Sequence, residues 1–373
     1  MIQKCLLLFL LITTLGFSQS ILSPKGTGSY AITAFDRESS RQIGGYYDTE
    51  FISTKDSSTF RAHRLVLEMS SQLHPDLLFN TEIEFEYGAN VEDKGEIKIE
   101  QLWMDYALND ALVNRFGIIV VPFGRLNILH DSDVRDASNR PIYAKYIVPS
   151  TWMDTGFGFH GNIDVSEWEF HYEAYLLNGL EATENKAITG IDGNEYGIRK
   201  LRPNFKTDNN ENKALAARLV ASPFLGLEIG TSLFKSRYDA DDKKDLDMYG
   251  LDVFYKNGAY ELVSEFAHVS LDPLAGQTIK EMSGYYVENR YHFPLKLAML
   301  AKFKRPVLTL FARYSAVDTD TSIKNKYDRT QTTLGINFRP VETVVYKLEY
   351  EWNKEAKNES DNDAIVASIA VGF

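Results

Sequence analysis

Between Pro122 and Ser150 the chain interleaves both signs of charge: Arg125, His130, Asp131, Asp133, Arg135, Asp136, Arg140 and Lys145. Set across a narrow aqueous passage, such a mixture makes a transverse field that orders water and selects dipolar solutes, and low-dielectric walls strengthen it. Set against a wall, the same residues form a salt-bridge network that merely pins the segment. Both readings stand on sequence alone. Tyr143, Tyr146 and Trp152 could stack sugars, although packing at the base of the segment is the stronger reading. Catalysis finds little support. The histidines His63, His74, His130, His160, His171, His268 and His292 are scattered, with neither G-x-S-x-G nor H-E-x-x-H, so no nucleophile and base are brought together by a motif. The acids Asp239, Asp241, Asp242, Asp245 and Asp247 resemble a calcium loop only loosely, because glycine is missing from the sharp-turn position. They read better as a solvated loop facing lipopolysaccharide. No enzyme, cofactor or metal motif is expected.

The elements that must position these residues are strands. Cutting the chain at its turn signals predicts strands near 42–53, 60–71, 77–87, 96–107, 112–121, 152–163, 167–177, 213–221, 225–237, 246–257, 259–271, 279–292, 307–317, 329–339, 343–353 and 363–373, about sixteen in all, with ends uncertain by ~2–4 residues. Connections alternate in length. Short ones carry turn chemistry, as at His74-Pro75-Asp76, Asn109-Asp110, Asp164-Val165-Ser166, Ser222-Pro223, Asn257-Gly258 and Pro340-Val341. Long ones, above all 122–150 and 178–212, lie between them. The connection 293–306 is longer than its side of the pattern requires. Such a layout is that of a transmembrane barrel. A soluble sandwich has no reason to alternate, and a sheet this wide tends to curl, split or close.

The faces agree. In 343–353, Val344, Tyr346, Leu348, Tyr350 and Trp352 oppose Lys347, Glu349 and Glu351; in 77–87, Leu77, Phe79, Ile83 and Phe85 oppose Glu82, Glu84 and Glu86. The apolar phase slips by one between Glu96 and Tyr106, which predicts a β-bulge near Glu100.

Both ends of the chain point to export. Met1 to Ser18 has Lys4, an apolar run from Cys5 to Ile12 and small residues at Gly16 and Ser18, the parts of a signal peptide cleaved after Ser18. Residues 19–41 then form a short periplasmic segment. The last stretch sets Ile365, Ala367, Ile369, Val371 and Phe373 on one face, long enough to cross a bilayer as a tilted strand. It resembles the closing strand of bacterial outer-membrane barrels, in which a terminal aromatic, here Phe373, is the signal read by the barrel-assembly machinery. The chain is 44% hydrophobic with 21 Tyr and 22 Phe at a mean hydropathy of -0.27. That suits aromatic girdles better than helical spans. A formal charge of -12 excludes nucleic acid as an expected partner.

The stretch E100-Q-L-W-M-D-Y106, N109-D-A-L112, F116-G-I-I-V-V-P-F-G124, I147-V-P-S-T-W152 and G156-F-G158 resembles the phosphate-selective porin O and P family, in its Bacteroidetes form. The resemblance implies a sixteen-stranded, trimeric porin in the outer membrane of a Gram-negative bacterium, with 122–150 as a third loop folded into the barrel. The fold expected is therefore all-β: a transmembrane antiparallel barrel over 42–373 with an inward-folded third loop.

The family name comes from a basic lumen, and here the inferred lumen is acid-rich. The inferred lumen-facing acids, Glu82, Glu84, Glu86, Glu173 and Glu349 among them, outnumber the inferred inward bases, which include Arg64, Arg115, Arg313 and Lys347. Acidic rings favour cations. The function expected is passive diffusion of small hydrophilic solutes or ions, with weak cation preference or near neutrality. The alternatives are an anion-selective pore, in which Arg64, Arg115 and Arg313 cluster, or a surface-interaction barrel with a blocked lumen.

Overall fold

Alternation of this kind satisfies its backbone only if the sheet has no free edge, because in hydrocarbon no water can pair an exposed N–H or C=O. The computed structural model describes residues 41–89, 95–182, 197–296, 303, 305–357 and 360–373, and in it the sheet is closed. The proposed signal peptide, residues 19–40 and the middle of the 178–212 connection lie outside the described residues.

The first half of the wall is β1 (Arg41–Ser53), β2 (Ser58–His74), β3 (Leu77–Glu86), β4 (Glu96–Asn109), β5 (Leu112–Val120), β6 (Met153–Val165), β7 (Trp168–Leu177) and β8 (Ala214–Phe224). The second half is β9 (Leu227–Arg237), β10 (Asp245–Asn257), β11 (Tyr260–Leu271), β12 (Glu281–Pro294), β13 (Val307–Asp318), β14 (Asp328–Val341), β15 (Val344–Glu355) and β16 (Ala364–Gly372). Every strand pairs antiparallel with its sequence neighbours. β1 closes on β16 with Tyr46 opposite Gly372 and Ser53 opposite Ile365.

All sixteen predicted strands are present. Three turn assignments move: Asp164-Val165, Ser222-Pro223 and Pro340-Val341 sit inside β6, β8 and β14, and the chain reverses just after them. Proline at a strand end is tolerated because a ladder N–H is not needed there. The bulge falls on Glu100. Glu82 is opposite Gln101 and Ile83 opposite Ile99, so Glu100 is the extra residue and its carboxylate is turned fully inward, 0% exposed.

The bulky apolar rows face out. Ile365, Ile369, Tyr346, Leu348 and Trp352 are exposed, as lipid-facing residues must be. Phe373, 62% exposed, extends the β16 row, and its backbone is tied to Gly45 in both directions, at 2.9 and 3.2 Å. The inner face holds a second apolar cluster. Phe234 of β9, Met248 and Phe254 of β10, Val263 of β11, Met282 and Tyr286 of β12 and Val317 of β13 point inward and are buried. Something apolar must cover them.

Candidate functional site

That cover is the segment between β5 and β6. Phe123, Tyr143, Ile147 and Trp152 join the inner cluster. Trp152 packs edge-on against Phe234 at 4.6 Å between ring centroids, and Tyr143 lies 5.6 Å from Tyr286. Burial of these rings removes the stacking-track reading: Trp152 is 0% and Tyr143 1% exposed. Two glycines allow the approach. Gly124 has φ 71°, and a Cβ there would meet the Glu265 carboxylate at 2.4 Å; that carboxylate accepts the Leu126 N–H at 2.6 Å. A Cβ on Gly284 would strike Ile147 at 2.8 Å.

The middle of the segment is polar and rests on the opposite wall. Glu349 accepts the N–H groups of Ser138 and Asn139 at 2.8 and 3.0 Å. Lys347 donates to the Ser132 carbonyl at 2.5 Å, Arg313 to the Asn139 carbonyl at 2.9 Å, and Arg339 to the Asp133 carbonyl at 2.8 Å. Within the segment Arg135 donates to the carbonyls of His130 and Ser138 at 3.0 and 2.9 Å. Arg140 reaches the His130 carbonyl at 3.3 Å. Asp136 accepts from Asn337 at 2.8 Å and stands 3.4 Å from Arg290. Arg125 pairs with Glu228 and lies 4.1 Å over the Phe254 ring. Lys145 is exposed beside Tyr146, its Nζ 5.4 Å from the ring centroid.

His130 and Asp131 meet the β2–β4 wall. His130 Nε2 is 3.2 Å from Glu100 and 3.7 Å from Asp131, while the Tyr46 hydroxyl donates to Asp131 at 3.1 Å. Burial favours the neutral imidazole, but Asp131 and Glu100 outweigh it and raise the pKa of His130.

The remaining predicted wall residues are mostly paired with each other. Arg64 bonds Glu84 at 2.8 Å, Lys98 bonds Glu86 at 2.9 Å, and Arg115 grips Asp105 through two bonds of 2.7 and 2.8 Å. Glu173 accepts the Tyr175 hydroxyl at 3.0 Å. Arg64, Arg115 and Arg313 therefore each serve a separate local network. The acids of the 239–247 loop pair with neighbouring bases instead of converging: Lys243 with Asp241 and Arg237 with Asp245.

Sequence reasoning missed two groups. Glu228, 2% exposed, sits at inward parity in β9 beside Gly230, Ser232 and Ser236, and that parity was a usable signal. Arg199, Lys200 and Arg202 follow from a connection with no period to read. Gly197–Leu201 forms a 3-10 turn, and Arg199 and Arg202 donate to the carbonyls of Ser150 and Thr151. With Arg64, Lys98, Arg140 and Lys145 they line a cavity of about 670 Å³ to which Glu86 and Glu96 also contribute among the described residues. Burial first, then the charges of Arg64, Arg135 and Arg199, push the Arg140 guanidinium down to about 9. It stays charged at neutral pH.

Known proteins share this architecture. The anion-selective porin of Comamonas acidovorans superposes with a TM-score of 0.57 at 13% identity, covering 90% of this chain and 99% of that one. The outer-membrane channel DcaP of Acinetobacter baumannii gives 0.57 at 12%, covering 89% and 97%. The trimer form of OmpT from Vibrio cholerae gives 0.55 at 10%, covering 89% and 99%. At such identities the likeness is one of fold. In sequence, an uncharacterised protein of Aquifex aeolicus is 27% identical over 381 aligned positions, 93% of this chain and 83% of that one. The family profile for the phosphate-selective porins O and P matches residues 42–372. A closed sixteen-stranded wall with lipid-facing apolar rows, matched along nearly its whole length, makes this chain a member of the phosphate-selective porin O and P family, an outer-membrane porin of a Gram-negative bacterium.

Proposed function

We infer that the chain is a passive channel for small hydrophilic solutes, close to neutral in ion preference, in which segment 121–152 sets the size limit. The observation that carries this is the fate of the inward acids. Glu349 and Glu265 accept backbone N–H groups of the segment, Glu228 holds Arg125, and Glu84, Glu86 and Asp105 are matched by wall bases. An acid already engaged adds little to a cation-attracting ring, so the excess read from the sequence supports at most a weak cation preference. Planar-bilayer recordings test the reading. Ohmic steps with a zero-current potential near zero across a tenfold salt gradient are expected. Silence from folded protein would instead indicate a scaffold with a blocked lumen.

Arg140, which lines that cavity and forms no ion pair among the described residues, supports a second reading, an anion-preferring channel. A strong anion preference, with chloride current blocked by phosphate and relieved in Arg140→Gln, would establish it. Homotrimer formation and contact with lipopolysaccharide belong to the same proposal, to be checked by cross-linking in outer membranes. Phe373, at the end of an outward row, is proposed as the assembly signal. Phe373→Asp should then lower heat-modifiable protein, and normal levels would contradict the role.

A further inference from the structure

At the place where the segment touches β3 and β4, Glu82, His130 and Asp131 each bring one ligand atom to within 4.8 Å of the others. Glu100 adds a carboxylate 3.2 Å from His130 Nε2. Across the β2–β3 ladder Glu68 stands directly opposite Glu82, a like-charge pairing that costs stability when nothing neutralises it. Among the described residues no lysine or arginine forms an ion pair with Glu68, Glu82, Glu100 or Asp131; His130 is the basic partner of the last two.

Two further details favour a cation. Glu82 is 2% exposed, and its Oε1 makes no hydrogen bond, while its other oxygen takes the Gln101 amide at 2.5 Å. A buried, unpartnered carboxylate oxygen is costly unless a cation or a proton meets it. His130 Nδ1 lies 2.8 Å from the Asn127 carbonyl, a contact that requires the proton on Nδ1. In the neutral ring Nε2 then presents a lone pair toward carboxylates, the orientation by which a carbonyl typically fixes a metal-ligating histidine.

The geometry points to a divalent-cation site formed by Glu82, His130 and Asp131, with Glu100 beside it, which fastens the inward segment to the β3 wall. Two carboxylates with one imidazole suit a first-row divalent ion such as Zn²⁺, since imidazole adds affinity for such ions and little for Ca²⁺. Ligands ~2 Å from a shared ion stand ~3.4 Å apart, so the side chains close by up to about 1.4 Å, within reach of Glu and Asp torsions. Nothing in the sequence spacing announces the site, because its ligands come from one strand and a distant connection.

The test uses the full-length barrel purified from outer membranes, stripped with EDTA, and titrated calorimetrically with Zn²⁺ and, separately, Ca²⁺. One Zn²⁺ per chain is expected, bound more tightly than Ca²⁺, and weakened more than tenfold in both Glu82→Gln and His130→Gln. Heat-modifiable mobility reports folding; if His130→Gln fails to fold, the near-isosteric Glu82→Gln decides. Absence of Zn²⁺ binding by the folded wild type, unchanged binding in Glu82→Gln, or Ca²⁺ bound as tightly as Zn²⁺ would each overturn the assignment. Binding is read without conductance, so the outcome is independent of whether the channel reading holds.

Discussion

The two sides of the inward segment are held by different physics. Toward β9–β13 it presents Phe123, Tyr143, Ile147 and Trp152 to a wall whose inner face is itself apolar. Toward β13–β15 and β1–β4 it presents carbonyls, amides and mixed charge, met by Lys347, Glu349, Arg313 and Arg339. Burial is non-directional and scales with area, so the first side fixes where the segment lies. Charge-assisted hydrogen bonds are directional, so the second side fixes its shape. Position and shape are thus set by separate sets of residues, and on the proposed function variants should separate their effects on stability and on passage.

Removing both sides at once has the largest expected effect. Deleting about 126–146 takes away the polar arch and part of the apolar foot, and the solute cut-off in liposome swelling should rise. An unchanged cut-off would show that the segment does not limit the passage.

Next come substitutions that divide the two sides. Trp152→Ala removes a fully buried indole from between Phe123 and Phe234, and large-to-small changes of this kind cost about 3–5 kcal/mol. It should lower the temperature of the heat-modifiable transition. Glu349→Gln keeps the shape and loses the charge that accepts two backbone N–H groups, worth roughly 1.5–3 kcal/mol for hydrogen bonds to a charged group. It should raise current fluctuations while lowering the heat transition less than Trp152→Ala does. Equal heat destabilisation by the two variants would break the division drawn here.

The same contrast explains what the sequence could convey. The wall was legible because a period of 2 repeats sixteen times and each repeat ends in turn residues. Even the bulge at Glu100 shows as a slip of phase. The apolar foot was partly legible: Leu246, Met248 and Phe254 in β10 put apolar side chains on the inner face while Tyr249 and Leu251 do the same outside. A strand apolar on both faces is covered on both, yet parity does not say by what. The polar arch was legible as a list of charges and not as a site. Some inward acids counted as a pore field, Glu265 and Glu349 among them, are anchors, since whether Glu349 meets water or the amides of Ser138 and Asn139 depends on a connection that has no period. Arg199, Lys200 and Arg202 were invisible for the same reason.

The smallest expected effect concerns the cavity lined by Arg140, and it tests whether polar residues there act on passing ions at all. Lys145 lines it and is exposed, so Lys145→Gln should leave folding and the solute cut-off unchanged. Its charge acts through solvent, where the Debye length is about 8 Å near 0.15 M salt and about 30 Å at 0.01 M. The zero-current potential should therefore shift toward cations only slightly at 0.15 M, and measurably more when the whole salt gradient is moved to lower concentration. The dependence on ionic strength matters more than the size of the shift. A shift independent of salt would mean that this lysine reshapes the passage as Glu349 does, and the separation of position, shape and field would fail at its last member. A shift that grows on dilution would assign the cavity to the field alone, with the apolar foot and the polar arch left as its scaffold.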